Sequence, residues 1–136
     1  MNEKKSSTDA TNTIRVLLVD DEAAFRVAVV KRLTRRGVHA EHTESGEKCL
    51  RYLGNFPFDI VLLDYNLPGM SGIDTLKEIK SLYPKTEVIL LTGQANATDG
   101  AEWVKAGAFD YMAKPMEIED LMDKIKQAYE KIRLTS

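Results

Sequence analysis

The chain has 136 residues, which fits one domain and is long enough to bury a core without disulfides or a structural metal. Its 19 basic and 21 acidic residues give a net charge of -2, which argues against nucleic-acid binding driven by bulk charge. The single cysteine, Cys49, excludes an internal disulfide framework and a multi-cysteine zinc site.

The first thirteen residues, MNEKKSSTDATNT, are polar and lack the apolar stretch of a signal peptide. We therefore expect residues 1–13 to form a flexible polar tail and residues 14–134 to form the domain. No apolar run is long enough to cross a bilayer, so we expect no membrane contact. The polar start and the lone cysteine together favour a cytoplasmic protein in a reducing compartment.

Beyond this tail, apolar runs rich in branched residues alternate with segments of helical period. A first strand is predicted over residues 14–19. It is followed by a helix that carries Phe25 in its apolar stripe and ends before Gly37. A weaker strand over residues 38–43 precedes a short helix that Ser45 is expected to cap.

The second half of the chain continues this alternation. A helix is predicted to stop before Pro84, and another to run from about residue 98 to 106. The last helix has the clearest pattern, with apolar residues at spacings of three and four from Ile118 to Ile132. Three further strands are predicted, over residues 58–63, 87–91 and 108–113.

Five alternations of strand and helix predict an α/β fold, a doubly wound parallel sheet of five strands with helices on both faces. Right-handed crossovers place the carboxyl end of every strand at the same edge of the sheet. In open sheets of this kind, ligands bind at that edge, where the strand order reverses. The residues that follow the strands are therefore the candidates for chemistry.

Polar side chains follow four of the five strands: Asp20 and Asp21 after the first, Asp64 after the third, Thr92 after the fourth and Lys114 after the fifth. Because parallel strands end at one edge, these side chains are expected to converge. Three ionised carboxylates close together repel one another unless a cation lies among them. Oxygen ligands favour a hard divalent ion, most simply Mg²⁺, which keeps several waters and leaves its site open to a phosphoryl oxygen.

Among the three aspartates, Asp64 is the best candidate for a nucleophile, because it stands alone at the end of a central strand and precedes a Pro-Gly loop. An aspartate carboxylate can accept a phosphoryl group and form an aspartyl-phosphate. Lys114 would neutralise the transferring group, and the Thr92 hydroxyl would donate to one of its oxygens. The adjacent Asp20 and Asp21 are better suited to holding the metal.

Four segments of the chain carry a resemblance to a known family. They are VLLVDDE (residues 16–22), VLLDYNLPGMSG (61–72), VILLTG (88–93) and GAFDYMAKP (107–115). In this order and near this spacing, they closely resemble the receiver domains of two-component response regulators, including chemotaxis-type single-domain receivers. The resemblance covers about residues 14–132 and implies a flavodoxin-like sheet with strand order 2-1-3-4-5.

The resemblance also implies a role for each residue of the site. Asp21 and Asp64 would coordinate Mg²⁺ directly, and Asp20 would act through a bound water. Asn66, two residues past the phosphoacceptor Asp64, would lend its backbone carbonyl to the metal. The remaining roles fall to three residues: the switch hydroxyl to Thr92, the phosphate-binding lysine to Lys114 and the rotating aromatic side chain to Tyr111.

By this resemblance, a sensor histidine kinase or histidine phosphotransfer protein donates a phosphoryl group to Asp64, and the receiver catalyses only its own phosphorylation and autodephosphorylation. The surface of the fourth helix, fifth strand and fifth helix then changes, and so controls partner binding or homodimerisation. The sequence leaves the output partner or output domain open, and no direct nucleic-acid binding is expected. Asn66 and Gln94 flank the expected path of an attacking water, so both are expected to affect the lifetime of the aspartyl-phosphate.

Two other functions remain open. A Mg-dependent phosphatase of the haloacid-dehalogenase type also has a nucleophilic aspartate at the end of a buried strand, within a DxD motif whose second aspartate is a general acid. Here Asn66 occupies that second position, and an amide cannot exchange a proton in that way. A receiver-like scaffold that is never phosphorylated would be expected to lack the acidic pair, the nucleophile or the lysine, and all are present.

Several side chains also have ordinary structural interpretations. Tyr111 can be a fixed aromatic residue of a strand rather than a switch. Trp103 is equally a core residue or an anchor for a partner. His39 and His42 lie on the weak second strand and are expected to be surface residues without an acidic partner.

Overall fold

The structure is a computed structural model and describes residues 13–93 and 97–135. Strands and helices alternate along the chain, as predicted. The strands are β1 (Arg15–Val19), β2 (His39–Thr43), β3 (Ile60–Asp64), β4 (Glu87–Thr92) and β5 (Asp110–Ala113). The helices are α1 (Ala23–Arg35), α2 (Gly46–Asn55), α3 (Gly72–Leu82), α4 (Ala97–Lys105) and α5 (Ile118–Thr135). Each helix in the described part of the chain is too short or too polar to span a bilayer.

The sheet has the strand order β2-β1-β3-β4-β5, and all neighbouring strands are parallel. The predicted fold class and strand order are therefore confirmed. Strand β3 occupies the centre of the sheet, and all five of its residues are buried. A strand that is covered on both faces has no polar side, which explains why its sequence is a continuous apolar run rather than an alternation.

Helices cover both faces of the sheet, so the core is divided into two layers. Alternate strand residues point to opposite faces. Leu17 and Val61 therefore join one apolar cluster, whereas Leu18 and Leu62 join the other. The first cluster includes buried residues of α2, α3 and α4, and the second includes buried residues of α1 and α5.

Local signals determine where the helices begin and end. The Ser45 hydroxyl accepts the N–H of Lys48 and caps α2, as predicted. Beyond the end of α1, Gly37 has a φ of +86°, in the left-handed region that favours glycine. Because Ser45 caps it, α2 starts just past the end of β2, at the carboxyl edge of the sheet.

Two strands begin two residues later than predicted, and the other strand boundaries agree to within one residue. Strand β3 begins at Ile60 rather than at residue 58, and β5 begins at Asp110 rather than at residue 108. Phe58 and Ala108 are nevertheless buried, with 7 % and 5 % exposure. Their apolar character reflects packing into the core from outside the hydrogen-bonded ladder, so an apolar run overestimates the length of the strand that it contains.

Candidate functional site

Three carboxylates meet at the carboxyl edge of the sheet. Asp20 follows β1, Asp21 is its neighbour, and Asp64 is the last residue of β3. One carboxylate oxygen of each lies within 4.8 Å of the others. Asp20 and Asp64 are buried, with 0 % and 4 % exposure, whereas Asp21 is exposed. The cluster is therefore closed on the sheet side and open to solvent at Asp21.

Lys114 supplies a cationic side chain that contacts the carboxylates of both Asp20 and Asp64. Its ammonium lies 2.7 Å from Asp20 Oδ2 and 3.6 Å from Asp64 Oδ2. The backbone N–H of Lys114 donates to the Thr92 carbonyl, which ties the end of β5 to the end of β4. One ammonium thus faces three carboxylates, so the ionised site carries an excess of negative charge.

Burial and the neighbouring charges shift the pKa values of Asp64 and Lys114. Burial, together with the charge of Asp20, raises the pKa of Asp64 to about 6, although Lys114 and the Asn66 N–H act in the opposite direction. Burial by itself lowers the pKa of Lys114, but its hydrogen bond to Asp20 and the nearby carboxylates more than offset this effect and raise the pKa overall. A further cation would relieve the repulsion.

The backbone around Asp64 holds its carboxylate in place. The Asn66 N–H donates to Asp64 Oδ1 at 3.2 Å, so the backbone of Asn66 lies beside the Asp64 carboxylate. Gly72 begins α3 directly against this turn, because a Cβ at that position would lie 2.5 Å from the Asp64 carbonyl oxygen. Any larger residue would push α3 away from the end of β3.

Thr92 is the last residue of β4 and is buried, with 1 % exposure. The strand register pairs Asp64 with Leu91, so Thr92 lies one residue beyond the level of Asp64 on the adjacent strand. This places it at the same edge as the acidic cluster. The other predicted residue of this loop, Gln94, lies outside the described residues.

Tyr111 lies on β5, half-buried against α4. A Cβ at Gly100 would come within 2.1 Å of the Tyr111 ring, so the glycine provides the space that the ring occupies. The ring meets Trp103 edge-on, with 5.5 Å between centroids, and Trp103 in turn contacts Tyr65 at 4.8 Å. Trp103 is 4 % exposed, which favours the core interpretation of this residue over a partner anchor. The residue after Asp64 is thus linked through Trp103 to Tyr111, a connection that sequence reasoning missed.

Two residues in the first turns of α1 also contact the site. The Lys114 ammonium lies 4.6 Å from the centroid of the Phe25 ring. Arg26 donates to the Asp20 carbonyl at 2.7 Å and to His42 Nδ1 at 3.0 Å. Sequence reasoning assigned Phe25 only to a core stripe, because the helical period reports which face is buried and not which strand end it meets.

One minor expectation is wrong. His39 does have an acidic partner, since its Nε2 lies 2.8 Å from Glu41 Oε2. The two residues are separated by one position on β2 and therefore point to the same face of the sheet. Both side chains are about 40 % exposed, so this pair remains a surface feature.

The chemistry of the donor set suits a hard divalent cation. All three acidic side chains offer oxygen atoms, the group carries excess negative charge, and Asp21 leaves one side open. Magnesium prefers such a set of one or two carboxylates completed by waters and other oxygens. The residues present therefore fit the metal that the sequence predicted.

Comparisons with known proteins agree with this architecture. A family model described as the response regulator receiver domain matches residues 16–126. The chain therefore belongs to the response regulator receiver domain family of two-component signalling. A CheY-like receiver domain from Methanospirillum hungatei superimposes with a TM-score of 0.86 at 29% identity, covering 92% of this chain and 100% of that chain. A receiver domain protein from Clostridium thermocellum gives 0.84 at 31% identity, covering 90% and 99%.

Curated relatives are longer than this chain. The two-component response regulator PhoP of Pseudomonas aeruginosa is 33% identical over 108 residues, which cover 79% of this chain and 48% of PhoP. The regulatory protein AtoC of Escherichia coli is 35% identical over 107 residues, covering 79% of this chain and 23% of AtoC. The chain thus spans about half or less of the length of these relatives.

Proposed function

We propose that this receiver is a phosphorylation-controlled signalling switch in which Asp64 accepts a phosphoryl group in a Mg²⁺-dependent reaction. The observation that carries this proposal is the buried Asp64 carboxylate at the end of the central strand, with Asp20, Asp21 and Lys114 around it. A sensor histidine kinase or a histidine phosphotransfer protein is the expected donor, as membership of the family implies.

In the transfer step, an Asp64 carboxylate oxygen forms a bond to phosphorus while the bond from phosphorus to the donor histidine nitrogen breaks. The electron pair of the broken bond stays on the donor imidazole, which takes up a proton. Asp64 must be ionised to act, and with a pKa of about 6 it is mostly ionised at neutral pH. The Asn66 N–H on Oδ1 limits rotation of the carboxylate, and Lys114, 3.6 Å from Oδ2, offsets the charge of the incoming group.

Asp20, Asp21, Asp64 and the backbone carbonyl of Asn66 are the residues that would hold Mg²⁺. When bound, the metal would supply positive charge against the carboxylates and against the transferring phosphoryl group. We assign Asp20 the role of positioning this cation, because its carboxylate is already engaged by Lys114 and by the Glu22 N–H.

The response to phosphorylation is assigned to Thr92 and Tyr111. Thr92 would donate its hydroxyl to the phosphoryl group, and Tyr111 would change its position against α4. Tyr111 also lines a groove with Met116 and Lys124 between β5 and α5, so its movement would alter the surface formed by α4, β5 and α5. That surface would control binding of an output partner or a phosphorylation-dependent homodimer.

A cytoplasmic location completes the proposal. Cys49 is a free thiol, which a reducing compartment allows, and burial raises its pKa to about 12. Such a thiol is suited to a packing role rather than to redox chemistry.

Intact-protein mass spectrometry after incubation with acetyl phosphate and Mg²⁺ tests the acceptor. Wild-type protein should gain the mass of one phosphoryl group, and Asp64→Asn should gain none. Asp74→Asn, the same substitution at an exposed aspartate on α3, is the matched control and should be labelled like wild type. An unlabelled wild type, or an Asp64→Asn variant labelled as strongly as wild type, would refute the proposal.

The lifetime of the aspartyl-phosphate gives a second prediction. Polar groups at Asn66 and Gln94 are expected to bind or orient the attacking water, so Asn66→Ala and Gln94→Ala should change the decay rate. The measurement is loss of the phosphoryl mass with time after the donor is removed. Unchanged decay in both variants would show that this assignment is wrong.

A further inference from the structure

We propose that Phe25 is a positioning residue for Lys114, and that its ring accelerates phosphoryl transfer to Asp64 by holding the lysine ammonium in the site. This inference rests on the proposed function of Asp64. Phe25 itself is not a member of the acidic cluster, which consists of Asp20, Asp21 and the phosphoacceptor Asp64.

The placement of Phe25 follows from helix geometry. Phe25 lies in the first turn of α1, which begins at Ala23, two residues after Asp21. Its ring is half-buried and packs against the apolar cluster that contains residues of α1 and α5, so the core restricts its movement. The Lys114 ammonium lies 4.6 Å from the ring centroid, within the range of a cation–π contact.

Lys114 therefore has two carboxylates and one aromatic ring as neighbours. Asp20 Oδ2 lies at 2.7 Å, Asp64 Oδ2 at 3.6 Å, and the Phe25 ring at 4.6 Å. The lysine side chain is 19 % exposed, so water competes only in part for the ammonium. A cation–π contact strengthens when the cation is partly desolvated, as it is here.

The Phe25 ring attracts the Lys114 ammonium in a way that does not depend on the charge of the two carboxylates. The attraction to Asp20 and Asp64 changes when either carboxylate is protonated, binds a cation or accepts a phosphoryl group. The attraction to an uncharged ring does not change with these events. Phe25 therefore keeps the ammonium near the acceptor throughout the reaction, and it limits the conformations of a long and flexible side chain.

The test compares Phe25→Leu, which keeps apolar volume but removes the aromatic face, with Phe25→Tyr, which keeps that face. The maximal rate of Asp64 labelling by acetyl phosphate should fall about fivefold in Phe25→Leu, equivalent to about 1 kcal/mol of transition-state stabilisation. It should stay near the wild-type rate in Phe25→Tyr. The acetyl phosphate concentration for half-maximal rate, the Mg²⁺ affinity and the melting temperature should change little.

Phe109→Leu is the matched control. The Lys131 ammonium lies 5.8 Å from the Phe109 ring, so this variant also removes an aromatic face beside a lysine, but at the opposite edge of the sheet. Its labelling rate should equal that of wild type. A general loss of packing would instead slow both leucine variants.

Nuclear magnetic resonance of protein labelled at lysine Cε provides a readout that needs no activity. Protons held over an aromatic face resonate upfield, so the Lys114 signal should be upfield in wild type and in Phe25→Tyr, and should move downfield in Phe25→Leu. Equal labelling rates in wild type and Phe25→Leu, or a Phe25→Tyr rate as low as that of Phe25→Leu, would overturn this inference alone. A wild type that is not labelled at all would overturn the proposed function as well.

Discussion

The two edges of the sheet both bury a carboxylate beside lysines, yet they are built in opposite ways. At the carboxyl edge, the Lys114 ammonium contacts Asp20 and Asp64, which form an acidic cluster with Asp21. At the amino edge, Glu87 begins β4 with 5 % exposure and faces two ammonium groups. Carboxylates outnumber ammonium groups in the cluster of Asp20, Asp21, Asp64 and Lys114, whereas two ammonium groups lie beside the one carboxylate of Glu87.

At the amino edge, the two lysines come from opposite faces of the sheet. Lys80 of α3 lies 3.8 Å from Glu87 Oε1, and Lys131 of α5 lies 3.1 Å from Oε2. Lys80 also donates to the carbonyls of Pro84 and Thr86, which holds its ammonium in position. Glu87 thus connects two helices that the sheet separates.

The difference shows that a buried charge alone does not identify a functional site. What distinguishes the carboxyl edge is the sign of the imbalance, because the folded chain leaves negative charge there that its own cations do not neutralise. Repulsion between the ionised carboxylates lowers the stability of the folded state. An external cation that removed the repulsion by binding only the folded state would therefore stabilise it.

The largest effect on stability is expected at the amino edge. Glu87→Gln would leave Lys80 and Lys131 near each other without a carboxylate, and should lower the free energy of unfolding by about 3 kcal/mol. Urea unfolding gives this value, and Glu78→Gln, at an exposed position of α3, serves as the control. Labelling of Asp64 should be unaffected in the folded variant. A loss below about 0.5 kcal/mol, typical of surface changes, would contradict a structural role for Glu87.

Asp64→Asn should have a smaller effect of opposite sign when no divalent cation is present. Burial and the charge of Asp20 raise the pKa of Asp64 from 3.8 to about 6, so the folded state binds this proton more tightly than the unfolded state does. The contribution of the Asp64 carboxyl to the free energy of unfolding is therefore greatest below about pH 4, and it is lost as the pH rises through about 6. The variant should be more stable than wild type by about 2 kcal/mol at about pH 8, and the gain should disappear near about pH 4. A destabilised variant at the higher pH would show that the site is not repulsive.

Much of this arrangement follows from the sequence. Five alternations of strand and helix predict a parallel sheet. A parallel sheet brings the residues that follow its strands to one edge. For this reason, Asp20, Asp64 and Lys114 could be grouped from the sequence alone. The cap at Ser45 and the glycine after α1 were equally readable, because each acts within a few residues of chain.

Other contacts could not be predicted, because they depend on how side chains from distant elements pack. The contact between Phe25 and Lys114 joins the start of α1 to the end of β5. The chain of rings from Tyr65 through Trp103 to Tyr111 depends on the space above Gly100. A periodic pattern reports the buried face of an element, but it does not report which side chain of another element will meet that face.

The most direct test of the cation site compares urea unfolding of wild type and Asp64→Asn at about pH 8, with and without Mg²⁺. Wild type should gain about 2 kcal/mol or more when Mg²⁺ is in large excess over its dissociation constant, as expected for a ligand that binds only the folded state. Asp64→Asn should gain much less, so its advantage in stability over wild type should shrink or disappear. Glu87→Gln should gain as much as wild type, because its substitution lies at the other edge. Equal gains in wild type and Asp64→Asn, or no gain in wild type, would contradict a cation site built on Asp64.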